Sequence, residues 1–144
     1  MRSCLALLAC ILLALCQPAA AQTGLEDLAG AVDIPPEDWR EMAAGRTVTY
    51  RIGGIFWAME RYDREGNGVT LQFENGECTE GVWEYAEPLY CFHWTDRGTS
   101  CFRHARIGER IVVIETLDGA ETGAVQDVSD ISQIPLVCGR ALVS

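Results

Sequence analysis

The chain has 144 residues and a formal net charge of −10, from 21 acidic and 11 basic residues. A surface of this charge repels nucleic acid and anionic headgroups, so neither is expected as a partner. Every basic residue is arginine, which excludes Schiff-base and lysine-nucleophile chemistry. At this length we expect one domain with its own hydrophobic core.

The first 21 residues are predicted to be a secretory signal peptide. Arg2 gives a basic start, an uncharged apolar run follows from Leu5 to Leu15, and small residues end at Ala21, immediately before Gln22. Cleavage between Ala21 and Gln22 changes the formal net charge from −10 to −11. The apolar run is too short to span a bilayer, so no stable membrane anchor is expected.

Cleavage also changes the cysteine content. It removes three of the seven cysteines and leaves Cys78, Cys91, Cys101 and Cys138. An even number of cysteines in an oxidising compartment favours disulfides, so we expect a periplasmic or secreted, disulfide-bonded domain. Lipidation is an alternative, because Leu7-Leu8-Ala9-Cys10 resembles a lipoprotein cleavage box, although few apolar residues precede it.

A polar lead, from Gln22 to Ile34, precedes one predicted helix. Pro35-Pro36-Glu37-Asp38 places prolines and acids where helices begin, and Gly45 is a typical C-terminal stop. The helix is expected at about Pro36 to Ala44. The predicted organisation is therefore a signal peptide (1–21), a polar lead and short helix (22–45), a β domain (46–138) and a tail (139–144).

From Arg46 onward the hydrophobic pattern alternates with a period of two, which indicates strands. Asn67-Gly68 and Asn75-Gly76 supply the positive φ values that tight hairpins require. We predict strands near Thr47–Ile52, Ile55–Tyr62, Val69–Glu74, Cys78–Tyr85, Leu89–Thr95, Cys101–Ile107, Arg110–Thr116 and Ala124–Val128. The predicted fold class is mainly β, a single antiparallel meander of about eight strands that forms a small barrel or a two-sheet sandwich.

The β region resembles small uncharacterised exported proteins of Gram-negative bacteria. The resemblance covers Arg46 to Cys138 and implies a fold and a compartment without implying an activity. Gly81-Val82-Trp83 is also similar to the G-x-W motif of lipocalins, but that motif normally lies on the first strand. The segments that carry the resemblance are Glu60-Arg61-Tyr62, Asn75-Gly76-Glu77-Cys78, Gly81-Val82-Trp83, Cys91-Phe92-His93-Trp94 and Cys101.

Two thiols and two imidazoles lie within fourteen positions, which raises the possibility of a metal site at Cys91, His93, Cys101 and His104. Strand alternation argues against it. Cys101 and His104 are three residues apart and therefore point to opposite faces of their strand. A disulfide is the better use of the thiols, and no metal is expected.

Strand geometry favours one pairing of the cysteines. With a reversal near Asp96, Cys91 and Cys101 lie opposite each other on neighbouring strands. Cys78 and Cys138 are then left to each other. Three connectivities remain possible from sequence alone.

The segment from Asp63 to Glu74 partly matches a calcium loop, with Asp63, Glu65, Asn67 and Glu74 at ligand positions. Both flanks, however, alternate as strands do, whereas that motif needs helices. A hairpin turn explains the same residues without an ion. Calcium therefore stays the less favoured interpretation.

The remaining carboxylates give no pair suited to catalysis. Glu80 and Glu84 alternate with aromatic residues and are expected to face water. Glu60, Glu74 and Glu115 lie among apolar neighbours and are candidates for an inward-facing acid. Arginines near which such an acid could lie are Arg51, Arg61 and Arg103.

Nucleophile, phosphate-loop and dinucleotide motifs are also missing from the sequence, so an enzyme and a cofactor are not expected. We expect a non-catalytic binding protein, for a small apolar ligand in a barrel mouth or for a cationic protein on the acidic surface. One version of the second is an inhibitor of a cationic hydrolase. The alternatives are a metal-dependent or carboxylate enzyme and a structural envelope component.

Overall fold

A computed structural model describes residues 28–138, which form a closed antiparallel barrel of eight strands with one helix and one extra strand. The mainly β prediction is confirmed, and the barrel replaces the sandwich alternative. The predicted signal peptide, Cys10 and the tail 139–144 lie outside the described residues. In chain order the elements are β1 (Val32–Asp33), α1 (Pro36–Ala43), β2 (Thr47–Ile52), β3 (Ile55–Tyr62), β4 (Gly68–Phe73), β5 (Cys78–Ala86), β6 (Leu89–Trp94), β7 (Gly98–Ile107), β8 (Arg110–Leu117) and β9 (Ala120–Ser132).

The barrel is a meander that closes through its last strand. Each strand from β2 to β8 pairs with the next, and β9 pairs with both β8 and β2. Each of the eight strands therefore has a neighbour on both sides, which removes the exposed edges that favour aggregation. The short strand β1 pairs with the far end of β7, where Val32 lies opposite Arg106.

Six of the predicted strands agree with the structure to within one residue at each end, and three strands differ by more. β7 begins at Gly98 instead of Cys101, because the chain pairs with β6 directly after the turn and Trp94 lies opposite Gly98. β9 is much longer than the predicted Ala124–Val128 and passes from β8 to β2 through two register shifts. β1 was not predicted, because two residues carry no readable alternation.

Helix α1 closes one end of the barrel. Its Trp39 is fully buried and packs edge-on against Tyr62 and Tyr90. The Tyr90 hydroxyl donates a hydrogen bond of 2.7 Å to the carbonyl oxygen of Ile34, just before the helix. These contacts fix the position of the helix across the barrel end.

Two disulfides lie on the outside of the barrel, with the pairing that strand alternation favours. Cys91 and Cys101 are opposite each other on β6 and β7. Cys78 bonds to Cys138, 60 residues away. The C-terminal segment is also held by Gln72, whose side-chain amide exchanges two hydrogen bonds with the backbone of Val137.

Gly81 of the G-x-W motif allows a close approach between β5 and β6. A Cβ atom at this position would lie 2.5 Å from the carbonyl oxygen of His93 and 2.9 Å from the Trp94 ring. Trp83 points into the core and is 4 % exposed. The glycine of the motif therefore leaves room for the Trp94 ring of the neighbouring strand, and its tryptophan fills the core.

Candidate functional site

The barrel encloses a cavity of about 290 Å³, here called the lumen. It lies toward the end away from α1, since β3 runs from Trp57, which lines the lumen, to Tyr62, which contacts the helix. Its volume is close to ~300 Å³, the lower end of the range of volumes found for small-molecule sites. The lumen is lined by Tyr50, Trp57, Glu60, Leu71, Phe73, Phe92, Trp94, Arg97, Ser100, Phe102, His104, Val113, Glu115 and Gln126.

Glu60 places a carboxyl group inside this aromatic lumen. It is 3 % exposed, and both Tyr50 and Tyr62 donate hydrogen bonds to its Oε2, at 2.8 Å and 2.6 Å. Burial raises the pKa of Glu60 to about 7, although the two hydroxyl donors favour the ionised form. The carboxyl group therefore changes charge near neutral pH.

The same burial acts on the two tyrosines. Loss of hydration, together with the charge of Glu60, raises the pKa of Tyr50 and of Tyr62 well above the ordinary value. Both hydroxyls therefore keep their protons and remain donors to Glu60. The three side chains come from adjacent strands, β2 and β3, at inward-facing positions.

His104 is the second buried titratable group that lines the lumen. Its ring stacks on Tyr90 at a centroid distance of 4.0 Å and lies 4.5 Å from the ring of Trp39. Within the described part of the chain, neither ring nitrogen has a hydrogen-bond partner. Burial lowers the pKa of His104 to about 3, so the imidazole is neutral at physiological pH.

The mouth of the lumen carries opposite charges. Arg97, in the turn between β6 and β7, lies over the Phe73 ring at 4.4 Å and forms long ion pairs with Asp96 and Glu77, at 3.7 Å and 4.0 Å. Glu115 faces the lumen from β8 and accepts a hydrogen bond of 2.8 Å from Thr122. Charged groups of both signs therefore line the lumen on this side.

The four residues considered for a Cys-His metal site do not converge. Cys91 and Cys101 form a disulfide on the outer face, whereas His104 points inward. His93 is exposed, with Nε2 3.0 Å from Glu84 Oε1 and Nδ1 2.9 Å from Thr99 Oγ1. These contacts join three strands at the surface, where such pairs contribute little stability.

The calcium-loop residues also lie apart from one another. Asp63, Glu65 and Asn67 occupy the exposed hairpin between β3 and β4, whereas Glu74 follows the far end of β4. The hairpin contacts the helix instead, since Arg40 donates a hydrogen bond of 2.8 Å to Asn67 Oδ1. Among residues 28–138, no group of three or more His, Cys, Asp or Glu side chains could share a metal ion.

Glu60 is the buried acid among the three candidates, whereas Glu115 faces the lumen but is exposed. None of the three arginines considered as its neighbour contacts Glu60. Arg51 donates to the carbonyl oxygen of Gly54, and Arg61 donates to Thr47 Oγ1. Arg103 is bound to Asp33 and Glu121 outside the barrel. The buried acid is held by tyrosine hydroxyls instead. Glu80 and Glu84 are exposed, as alternation predicts.

Trp57 is a lumen residue that the sequence did not identify. Strict alternation places it on the outer face of β3, because Glu60, three positions away, points inward. The register, however, shifts between Tyr50 and Arg51, which pair with Ala58 and Phe56, so Trp57 is an extra residue in a β-bulge. A bulge redirects a side chain, and no residue type in this segment signals it.

Comparison of the chain with protein-family models, with curated proteins and with solved structures found no match. No helix between residues 28 and 138 is both long enough and apolar enough to cross a membrane. The resemblance to small exported proteins therefore stays a prediction.

Proposed function

We propose that this is an exported, non-catalytic binding protein that holds a small, mostly apolar molecule in the barrel lumen. The observation that carries the proposal is the lumen itself, which is closed by α1 at one end and contains a cavity of about 290 Å³ toward the other. Six of the lining residues are aromatic. Concave apolar sites with a few convergent polar groups are the usual sites for small ligands.

The disulfides support the exported location. Bonds of this kind persist in oxidising compartments, and the N-terminal sequence has the composition of a secretory signal. A periplasmic or secreted protein with a closed barrel and a lined cavity suits capture or transport of a small molecule. Catalysis is not part of the proposal. The Ser100 hydroxyl, which also lines the lumen, accepts a hydrogen bond from Trp94 Nε1, and within residues 28–138 no hydrogen bond joins it to Glu60 or His104.

The test compares a variant that fills the lumen with one that changes the outer face of the same strand. Leu71 points into the lumen from β4, and Thr70, its neighbour, points outward by alternation. Binding of indole, 1-naphthol and N-phenyl-1-naphthylamine is measured by calorimetry and by dye fluorescence. We expect L71W to weaken binding at least about tenfold, or ~1.4 kcal/mol, and T70W to leave it unchanged.

Native circular dichroism of both variants confirms that the barrel is folded. The proposal fails if none of the three uncharged aromatic probes binds the wild-type protein. It also fails if L71W and T70W bind them as tightly as the wild type, because the probes then lie outside the lumen.

A further inference from the structure

The Glu60 carboxyl group has one oxygen that the protein leaves available. Both tyrosine hydrogen bonds are made to Oε2, and within residues 28–138 no side chain or backbone group bonds Oε1. The side chain lines the lumen although it is 3 % exposed. A buried carboxylate is costly unless a hydrogen-bonded or cationic partner accompanies it.

No cation of the described chain lies inside the lumen to pair with Glu60. Arg97 lies at the mouth, where it contacts the Phe73 ring, Asp96 and Glu77. His104 is neutral at physiological pH. The titratable and charged side chains that face the lumen with Glu60 are Tyr50 on β2, Tyr62 on β3, His104 on β7, Glu115 on β8 and Arg97 in the turn before β7.

The walls around Glu60 are suited to a cation with an apolar body. Aromatic faces attract cations, and they do so more strongly when water is excluded. The lumen offers six aromatic side chains, and the protein's net charge of −10 raises the local concentration of cations. An anion would be repelled both by the Glu60 carboxylate and by the net negative charge of the protein.

From this geometry we infer that the lumen selects small organic cations, whose ammonium group pairs with Glu60 while the apolar body contacts the aromatic walls. The inference rests on the proposed function and names its ligand class. If the lumen binds no small molecule, this inference fails as well. A lumen that binds only uncharged molecules would leave the proposed function intact.

The experiment uses three probes of similar shape and different charge: 2-phenylethylamine, 2-phenylethanol and phenylacetate. Affinities are measured at pH 8 by calorimetry and by the fluorescence of the lumen tryptophans, Trp57 and Trp94. We expect the amine to bind at least about tenfold more tightly than the alcohol, and phenylacetate to bind most weakly.

Two variants, each of which removes one carboxylate, show which acid causes the preference for the amine. E60Q keeps an oxygen for both tyrosine hydroxyls, so the fold is preserved, and it should abolish the preference for the amine over the alcohol. E80Q removes an exposed acid on the outer face of β5 and should keep the preference. If E60Q retains the preference, or if E80Q abolishes it, Glu60 is not the counter-ion.

The pH dependence of the wild-type protein gives a test that needs no variant. The amine keeps its charge between pH 5.5 and 8.5, whereas Glu60 ionises with a pKa of about 7. Amine affinity should therefore rise by up to roughly 30-fold over this range, and alcohol affinity should stay constant. An amine affinity that does not change with pH overturns the inference.

The outcomes separate the two proposals. If the alcohol or phenylacetate binds as tightly as the amine, the inference fails and the proposed function stands. If all three of these probes fail to bind but indole or 1-naphthol enters the lumen, the same conclusion holds. If no probe of either set binds, the proposed function itself fails.

Discussion

Tyr62 donates a 2.6 Å hydrogen bond to Glu60 Oε2 from two residues further along the same strand. Both side chains point inward because residues two positions apart on a strand share a face. Glu60 therefore accepts a hydrogen bond from a residue of its own strand. Tyr50 supplies the second donor from the neighbouring strand. Because no cation of residues 28–138 contacts this buried acid, its ionisation affects stability as well as binding.

The contribution of Glu60 to the stability of the protein should fall as pH rises from about 4.5 to 7. Folding raises the pKa of Glu60 from 4.5 to about 7, so in this window the folded state keeps a proton that the unfolded state releases. The contribution of Glu60 to the free energy of unfolding therefore decreases by up to about 3 kcal/mol and is constant above pH 7. E60Q removes this loss, and urea unfolding at pH 8 should show it to be more stable than the wild type.

The matched control for this prediction is E115Q, which removes an acid at the mouth of the lumen. It should keep the pH profile of the wild-type protein between pH 4.5 and 7. An E60Q variant that is less stable than the wild type at pH 8 would contradict the prediction, because the charge of Glu60 would then stabilise the fold.

His104 should act in the opposite direction at low pH. Folding lowers its pKa from 6.5 to about 3, so in this range the unfolded state takes up a proton that the folded state does not. The contribution of His104 to stability decreases as pH falls from 6.5 to 3, by up to about 5 kcal/mol. H104F should remove this acid loss, whereas H93Q on the outer face should keep it.

Between pH 4.5 and 6.5 the two effects oppose each other, so the wild type should show a nearly flat profile there. E60Q exposes the His104 effect, and its stability should fall steadily as pH decreases through the same window. Chemical unfolding at half-unit pH intervals measures both profiles. A flat E60Q profile would show that His104 takes up its proton in the folded state.

The two disulfides should contribute unequal amounts to stability. Removal of Cys78–Cys138 opens a loop of 60 residues and is expected to cost up to about 4 kcal/mol. Removal of Cys91–Cys101, with a separation of 10 residues, should cost roughly 1–2 kcal/mol less. Urea unfolding of the two double serine variants measures the difference, and the reverse order would contradict it.

Gly81 should tolerate no side chain, whereas Gly68 offers a matched control. An added Cβ at Gly81 meets the carbonyl oxygen of His93, which belongs to a paired strand and cannot move easily. At Gly68 the nearest atoms belong to the Asp63 side chain, which can rotate away. We expect G81A to cost about 1–3 kcal/mol or more and G68A less than about 1 kcal/mol, as measured by thermal unfolding.

The β hairpins could be predicted because the chain marks its reversals locally. Gly53-Gly54 lies between β2 and β3, whose limits agree with the predicted strands. The length of β9 could not be predicted, because its pairing is long-range and its register shifts twice. Barrel closure depends on the pairing of β9 with β2. The alternating pattern alone therefore could not distinguish a barrel from a sandwich.

The candidate site was only partly readable from the sequence. Alternation identified Glu60 as a possible inward acid, because it lies among apolar residues. The tyrosine donors were not foreseen, since their distance from the acid depends on how β2 pairs with β3. Trp57 was missed because a bulge breaks the alternation from which it would have been placed.

Trp39 also affects how fast a ligand can exchange. Because the helix end of the barrel is filled by this side chain, a molecule in the lumen must enter and leave past Arg97 and Trp57. A smaller side chain at position 97 would widen this route, so association and dissociation should both become faster. The rate of exchange is thus set at the mouth of the barrel, whereas the acid proposed to pair with the ligand lies deeper.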